Sequence, residues 1–146
     1  MRQINIFYAD DDEDDLMFFN EAIEKLTKEL ESDIVLHIHK NGDHLIENIK
    51  KYKDNNGVAF LDINMPLKTG FELLEEIRNE SDINSFPLIM YSTSSNLDNI
   101  EKSKTLGANF YVIKPHTFNN LKAILAIFIQ IDWKNHKSDP NNFLYK

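Results

Sequence analysis

The chain of 146 residues contains no cysteine, which removes disulfides, thiolate metal centres and cysteine nucleophiles together and is compatible with a reducing compartment. No apolar run approaches the ~20 residues that a bilayer span requires. Basic residues are in deficit, 16 against 24 acidic ones for a net charge of -8, which disfavours nucleic acid as a direct partner and leaves cations and proteins. The opening MRQINIFYADDD lacks the charged, apolar, small-residue pattern of an export signal, so a cytoplasmic location is expected. Glycine and proline number four each, and no internal repeat or low-complexity linker divides the chain. What is present is a hydrophobic fraction of 42% with ten Phe, enough to argue against disorder, in a length that fits one domain.

Hydropathy along the chain alternates between two periods. Gln3 to Ala9 reads as a strand, and the acids from Asp10 open a helix whose Leu16, Phe19, Ile23, Leu26 and Leu30 follow helical spacing. Asp33 to Lys40 is a second strand, with His37 and His39 placed on its exposed face as an edge strand. Asp43 to Tyr52 is a short helix stopped by the turn signal Asp54 to Gly57. Val58 to Leu61 and Phe71 to Arg78 form the next pair. Pro87 then marks the entry to a strand ending at Ser92. A polar helix capped by Asn96 or Asp98 stops at Gly107. Asn109 to Ile113 is the fifth strand, Thr117 to Ile131 a long helix, and the tail from Asp132 reads as irregular. Five strands alternating with five helices predict an α/β fold, a doubly wound five-stranded parallel sheet, as a domain over 1–131 with a tail over 132–146.

In such a sheet the ligand crevice lies at the carboxyl ends of the strands. Asp10, Asp11 and Asp12 fall there, as do Asp62, Ser92, Thr93 and Lys114. Carboxylates on neighbouring strand ends repel each other, and a shared divalent cation relieves this. Oxygen donors without cysteine favour Mg²⁺ or Mn²⁺. With the Lys114 ammonium and the Ser92 hydroxyl, such a cation would clamp three phosphoryl oxygens while an Asp carboxylate accepts the group.

Four segments in order carry a resemblance from about Gln3 to Ile131: ADDD, LDINMPLKTG, PLIMYSTSS and LGANFYVIKP. Together they resemble the receiver domain of bacterial two-component response regulators, a flavodoxin-like fold with strand order 2-1-3-4-5. That order is the one known for the fold, so it is implied by the resemblance and not by periodicity. The resemblance makes Asp62 the phosphoacceptor, Asp11 a direct metal ligand, Asp10 a ligand through water, and Asn64 a ligand through its backbone carbonyl. Lys114 would pair with Asp62 and then with the phosphoryl group. Ser92 would be the switch hydroxyl, with Thr93 as runner-up, and Tyr111 the aromatic that turns inward. A cis Lys114–Pro115 bond is expected on the same ground. Thr93 stands where the family usually has a smaller residue, which predicts slow entry of water and a long-lived phosphoryl form.

The resemblance further implies a phosphoryl-accepting regulator that dephosphorylates itself, in relay with a sensor histidine kinase or a histidine phosphotransfer protein. The alternative is a degenerate receiver that binds partners without phosphorylation. A phosphatase of the haloacid dehalogenase type needs a second Asp where Asn64 stands, and an EF-hand loop over Asp10 to Glu21 has Asp15 in place of its turn glycine. Met17 and Phe18 lie off the buried stripe of the first helix and are candidates for partner docking. The wide apolar arc of the last helix, with Ile127, Ile131 and Trp133, predicts a homodimer through the face of helix four, strand five and helix five. Its rival is a tail in which Phe143, Leu144 and Tyr145 fold back over that arc.

Overall fold

Alternate side chains of each strand point to opposite faces, and this sorts the core into two halves. The computed structural model describes residues 3–54, 56–137 and 139–145; the turn residue Asn55 lies outside them. Its strands are β1 (Gln3–Asp10), β2 (Asp33–Lys40), β3 (Asn56–Leu61), β4 (Leu88–Ser92), β5 (Phe110–Ile113) and β6 (Leu144–Tyr145). All pairings are parallel, in the order β2-β1-β3-β4-β5-β6. The helices are α1 (Glu13–Glu29), α2 (Leu45–Lys51), α3 (Gly70–Asn79), α4 (Leu97–Thr105) and α5 (Phe118–Gln130).

Ile6, Tyr8, Val58, Phe60, Ile89 and Tyr91 point to one face, where α1 supplies Leu16, Phe19, Ile23 and Leu26 and α5 supplies Leu121, Leu125 and Phe128. Phe7, Ala9, Ala59, Leu61, Met90 and Tyr111 point to the other, under α2, α3 and α4. Strands covered on both faces must be apolar throughout, which is why β3 and β4 read as unbroken hydrophobic runs. Side-chain caps start the helices where their turns require: Asp12 accepts from the amides of Asp14 and Asp15, Thr69 and Glu72 form a capping box, and Asn96 accepts from Asp98. Of the two candidate caps for α4, Asn96 is therefore the one used.

Three expectations are corrected. The sheet has six strands, because the tail is ordered: a 3₁₀ turn at Pro140–Asn142 leads into β6. The reason is apolar area. Phe143 is buried among the residues around Tyr111, and Tyr145 packs its ring 5.0 Å from Phe128 and 5.5 Å from Phe110. The Tyr111 amide donates to the Phe143 carbonyl at 3.0 Å. Ile131 and Trp133 also pack on the core, so the tail takes up most of the arc of α5, leaving Ile127 exposed.

The second correction concerns β2. His39 is buried and His37 half-buried, while Ile38 is the exposed residue between them. The face bearing both histidines is covered by α2 and Tyr52: His37 stacks on Phe7 and donates from Nε2 to Asn5 Oδ1 at 3.0 Å. His39 donates from Nδ1 to the Asp43 carbonyl and accepts at Nε2 from Asn48. Burial holds both imidazoles below the usual histidine pKa. Thirdly, Lys114–Pro115 is trans, since no described peptide bond is cis. Trans is the lower-energy form by about 0.5–1 kcal/mol, and the Lys114 side chain reaches the acids from it.

Candidate functional site

The site begins with the ends of β1 and β3, which pair in parallel and so release Asp10 and Asp62 side by side. Both are buried, at 0% and 6% exposure. With Asp11 they place three carboxylate oxygens within 4.8 Å of one another. Gly70 explains how the chain turns so closely behind Asp62: a Cβ on it would lie 2.1 Å from the Asp62 carbonyl oxygen. Only glycine permits that approach at the first turn of α3.

Lys114, carried by the end of β5, sits among these acids with its side chain 9% exposed. Its Nζ lies 2.9 Å from Asp10 Oδ2, 2.8 Å from Asp15 Oδ2 and 3.3 Å from Asp62 Oδ1. It also lies 5.4 Å from the centre of the Tyr91 ring. Asp10 is engaged on both oxygens: Oδ1 accepts from the amides of Asp11 and Asp12, and Oδ2 accepts from Lys114 and from the Tyr8 hydroxyl.

These contacts set the charges. Burial pushes the Asp62 carboxyl up to about 7, with Lys114 opposing the rise and Asp10 adding to it. Burial acts the same way on Asp10, but the Tyr8 hydroxyl and the Lys114 ammonium outweigh it and hold that carboxyl below its ordinary range. Burial would lower Lys114; the hydrogen bond to Asp15 and the field of Asp10 outweigh this and keep it firmly protonated. At neutral pH the described cluster therefore carries more negative than positive charge. Its donors are all carboxylate oxygens, which suits a hard divalent cation such as Mg²⁺ or Mn²⁺.

Of the other expected residues, Ser92 is 1% exposed at the end of β4 and its Oγ accepts from the Ser94 amide at 3.1 Å. The Lys114 amide donates to the Ser92 carbonyl at 2.8 Å, tying the two strand ends together. Thr93 is exposed and, with Met17, Phe18, Lys114 and His116, lines a groove of about 400 Å³ beside the acids. Phe18 packs edge-on against Phe118, whereas Met17 stays exposed. Asn64 is exposed in the loop after Asp62. Tyr111, expected to turn inward on switching, is already fully buried, and its hydroxyl donates to the Ser94 carbonyl at 2.8 Å. A larger hollow of about 610 Å³, near Phe86, Trp133 and Lys134, lies at the opposite ends of the strands, away from the carboxylates.

Two residues of the site are not evident from sequence. Asp15 reads there as part of a solvated acidic turn, yet it holds Lys114; three residues past the cap Asp12, its side chain leans back toward the strand ends. Tyr8 reads as strand filler. Its spacing is the available signal, because residues two apart on a strand share a face, so a phenol at Tyr8 stands beside Asp10.

The model of the response regulator receiver domain family matches residues 6–126. Among curated proteins, the chain is 35% identical over 89 residues to the transcriptional regulatory protein MalR of Bacillus subtilis, a match covering 61% of this chain and 33% of MalR. It is 34% identical over 64 residues to the response regulator Rcp1 of Synechocystis, covering 44% of each. The chain thus spans less than half the length of these two relatives. Among solved structures, the Mn²⁺-bound form of Rcp1 superposes with a TM-score of 0.72 at 23% identity, over 92% of this chain and 98% of that one. The phosphorylated cyanobacterial phytochrome response regulator RcpA gives 0.67 at 24%, over 93% and 97%. At these identities the two structures speak for the fold.

Proposed function

The chain belongs to the response regulator receiver domain family, and from that premise we propose that Asp62 accepts a phosphoryl group, in the presence of a divalent cation, from a histidine kinase or histidine phosphotransfer protein. One observation carries the reading: the buried Asp62 carboxylate has Lys114 at 3.3 Å and carboxylate oxygens of two further acids within 4.8 Å. Asp10, Asp11 and Asp62, with the Asn64 carbonyl, would hold the cation. Held there, a divalent cation would supply positive charge against the phosphoryl oxygens.

The chain's own part is positioning. An ionised Asp62 oxygen attacks phosphorus, an O–P bond forms, and the bond from phosphorus to the donor nitrogen or oxygen breaks, its electron pair leaving with the donor. Lys114, 3.3 Å from Asp62, would follow the negative charge from its carboxylate onto the phosphoryl group. Ser92, at the end of the neighbouring strand β4, would donate its hydroxyl to the same group. Output would pass through Ser94, which joins Ser92 Oγ to the Tyr111 hydroxyl, toward the surface of α4 and β5. A homodimer through that surface would have to form over β6 or displace it.

Incubation with acetyl phosphate and Mg²⁺, followed by intact-mass measurement, tests the reading. Wild type should gain one phosphoryl group, and Asp62→Ala or wild type in chelator should gain none. A protein unmodified under all conditions would instead support the module that binds partners without phosphorylation. Thr93, at the mouth beside Lys114, gives a second expectation: Thr93→Ala should shorten the half-life of the phosphoryl form severalfold after donor removal. Equal decay of the two proteins would show that Thr93 does not restrict water.

A further inference from the structure

Tyr8 is a fully buried tyrosine with its hydroxyl on a carboxylate of the site. The described donors to Asp10 divide unequally between its oxygens. Oδ1 is fixed by two backbone amides of its own turn, at 2.8 and 3.1 Å. Oδ2 accepts from two side chains, Lys114 and Tyr8. Lys114 is shared with Asp15 and Asp62 on a long flexible stem, and its place in the site requires it to follow charge onto Asp62. Tyr8 is not free to leave. Its ring stacks on Phe19 at 4.1 Å between centroids and meets Tyr91 edge-on at 5.6 Å, inside the core between the sheet and α1. A carboxylate held on one oxygen alone can turn about its side-chain bond, and loss of the partners that orient a metal-ligating group typically lowers metal affinity about 10–100-fold.

We infer that Tyr8 is a positioning residue of the cation site: its hydroxyl fixes Asp10 Oδ2 beside Asp11 and Asp62, whether or not Lys114 remains on that oxygen. The inference rests on the proposed use of these acids for a divalent cation. Nothing in the residue's core packing requires the hydroxyl, since phenylalanine would keep the same stack.

Calorimetric titration of wild type and Tyr8→Phe with Mg²⁺ tests this, with melting in EDTA run beside it. Tyr8→Phe should bind Mg²⁺ about tenfold more weakly at a temperature where both proteins are folded. In wild type saturated with Mg²⁺, the Tyr8 hydroxyl proton should remain protected from exchange by NMR, a reading that needs no variant. Equal or tighter Mg²⁺ binding by Tyr8→Phe, even with a lower melting temperature, overturns the inference by leaving Tyr8 only a packing role. Loss of hydroxyl protection on Mg²⁺ addition overturns it as well. If wild type itself takes up no Mg²⁺, the metal-dependent reading of the site fails, and this inference fails with it.

Discussion

Lys114→Met should lower the stability of the chelated protein by about 3–5 kcal/mol at pH 8, the range for removing one partner from a buried charge cluster. The lysine nitrogen touches Asp10, Asp15 and Asp62 within 3.3 Å, and two of those carboxylates are buried. No other cation is paired with these three acids among the described residues. Methionine fills similar volume, so the loss is one of charge and not of packing. The deficit should shrink on acidification, which protonates Asp62, and on addition of Mg²⁺, which replaces the missing positive charge. Urea unfolding in EDTA at pH 8 and pH 5, and with Mg²⁺, measures all three. A loss below about 1 kcal/mol at pH 8, the value typical of a surface pair, would mean that solvent already screens the cluster.

Asp62→Asn should do the reverse and stabilise the chelated protein at pH 8. Its native carboxyl is raised to about 7 by burial, against an unfolded value of about 4. Between those pH values the native state binds the extra proton, so stability falls as pH rises from about 4 through 7. The cost of the ionised acid is then fully present above pH 7. That difference corresponds to about 4 kcal/mol at most, and relaxation of Lys114 toward Asp62 reduces this, so a gain on the order of 1–4 kcal/mol is expected. At pH 4 the two proteins should be equally stable. Mg²⁺ should raise the melting temperature of wild type more than that of the variant, since binding to the native state alone stabilises it. An Asp62→Asn protein no more stable than wild type at pH 8 would show that Lys114 already compensates the buried charge.

These effects come from the part of the site that strand ends dictate, and that part is legible in the sequence. A hydrophobic run ending on Asp62, a second ending on Asp10, and Lys114 after a third can converge only if the three strands lie parallel in one sheet, which the alternating pattern implies. The structure brings these side chains together. Asp15 is less legible, because an acidic run before a helix is also what a solvated N-terminus looks like. Which acid turns inward depends on the helix start at Asp12, and that is a matter of one residue. Tyr8 is hidden by its neighbours on the strand, most of them apolar.

Outside the site, the departures from expectation share a cause. The side of β2 that carries His37 and His39 is decided by α2 and Tyr52, which no periodicity in β2 reveals. β6 is only two residues long, and its stability comes from Phe110, Phe128 and the Tyr111 amide, all distant in sequence. Tertiary contacts of that kind override local pattern. The inward Tyr111 is another instance, held by the Ser94 carbonyl across the β4–α4 turn.

The phosphoryl transfer proposed for the site depends on Asp62 alone among the clustered acids carrying the phosphoryl group. Borohydride reduction of the protein after treatment with acetyl phosphate and Mg²⁺ converts an aspartyl phosphate to homoserine, which peptide mass mapping can place. Homoserine is expected at position 62, with Asp10, Asp11 and Asp15 unchanged. Homoserine at any of those three acids, with position 62 intact, would contradict the assignment.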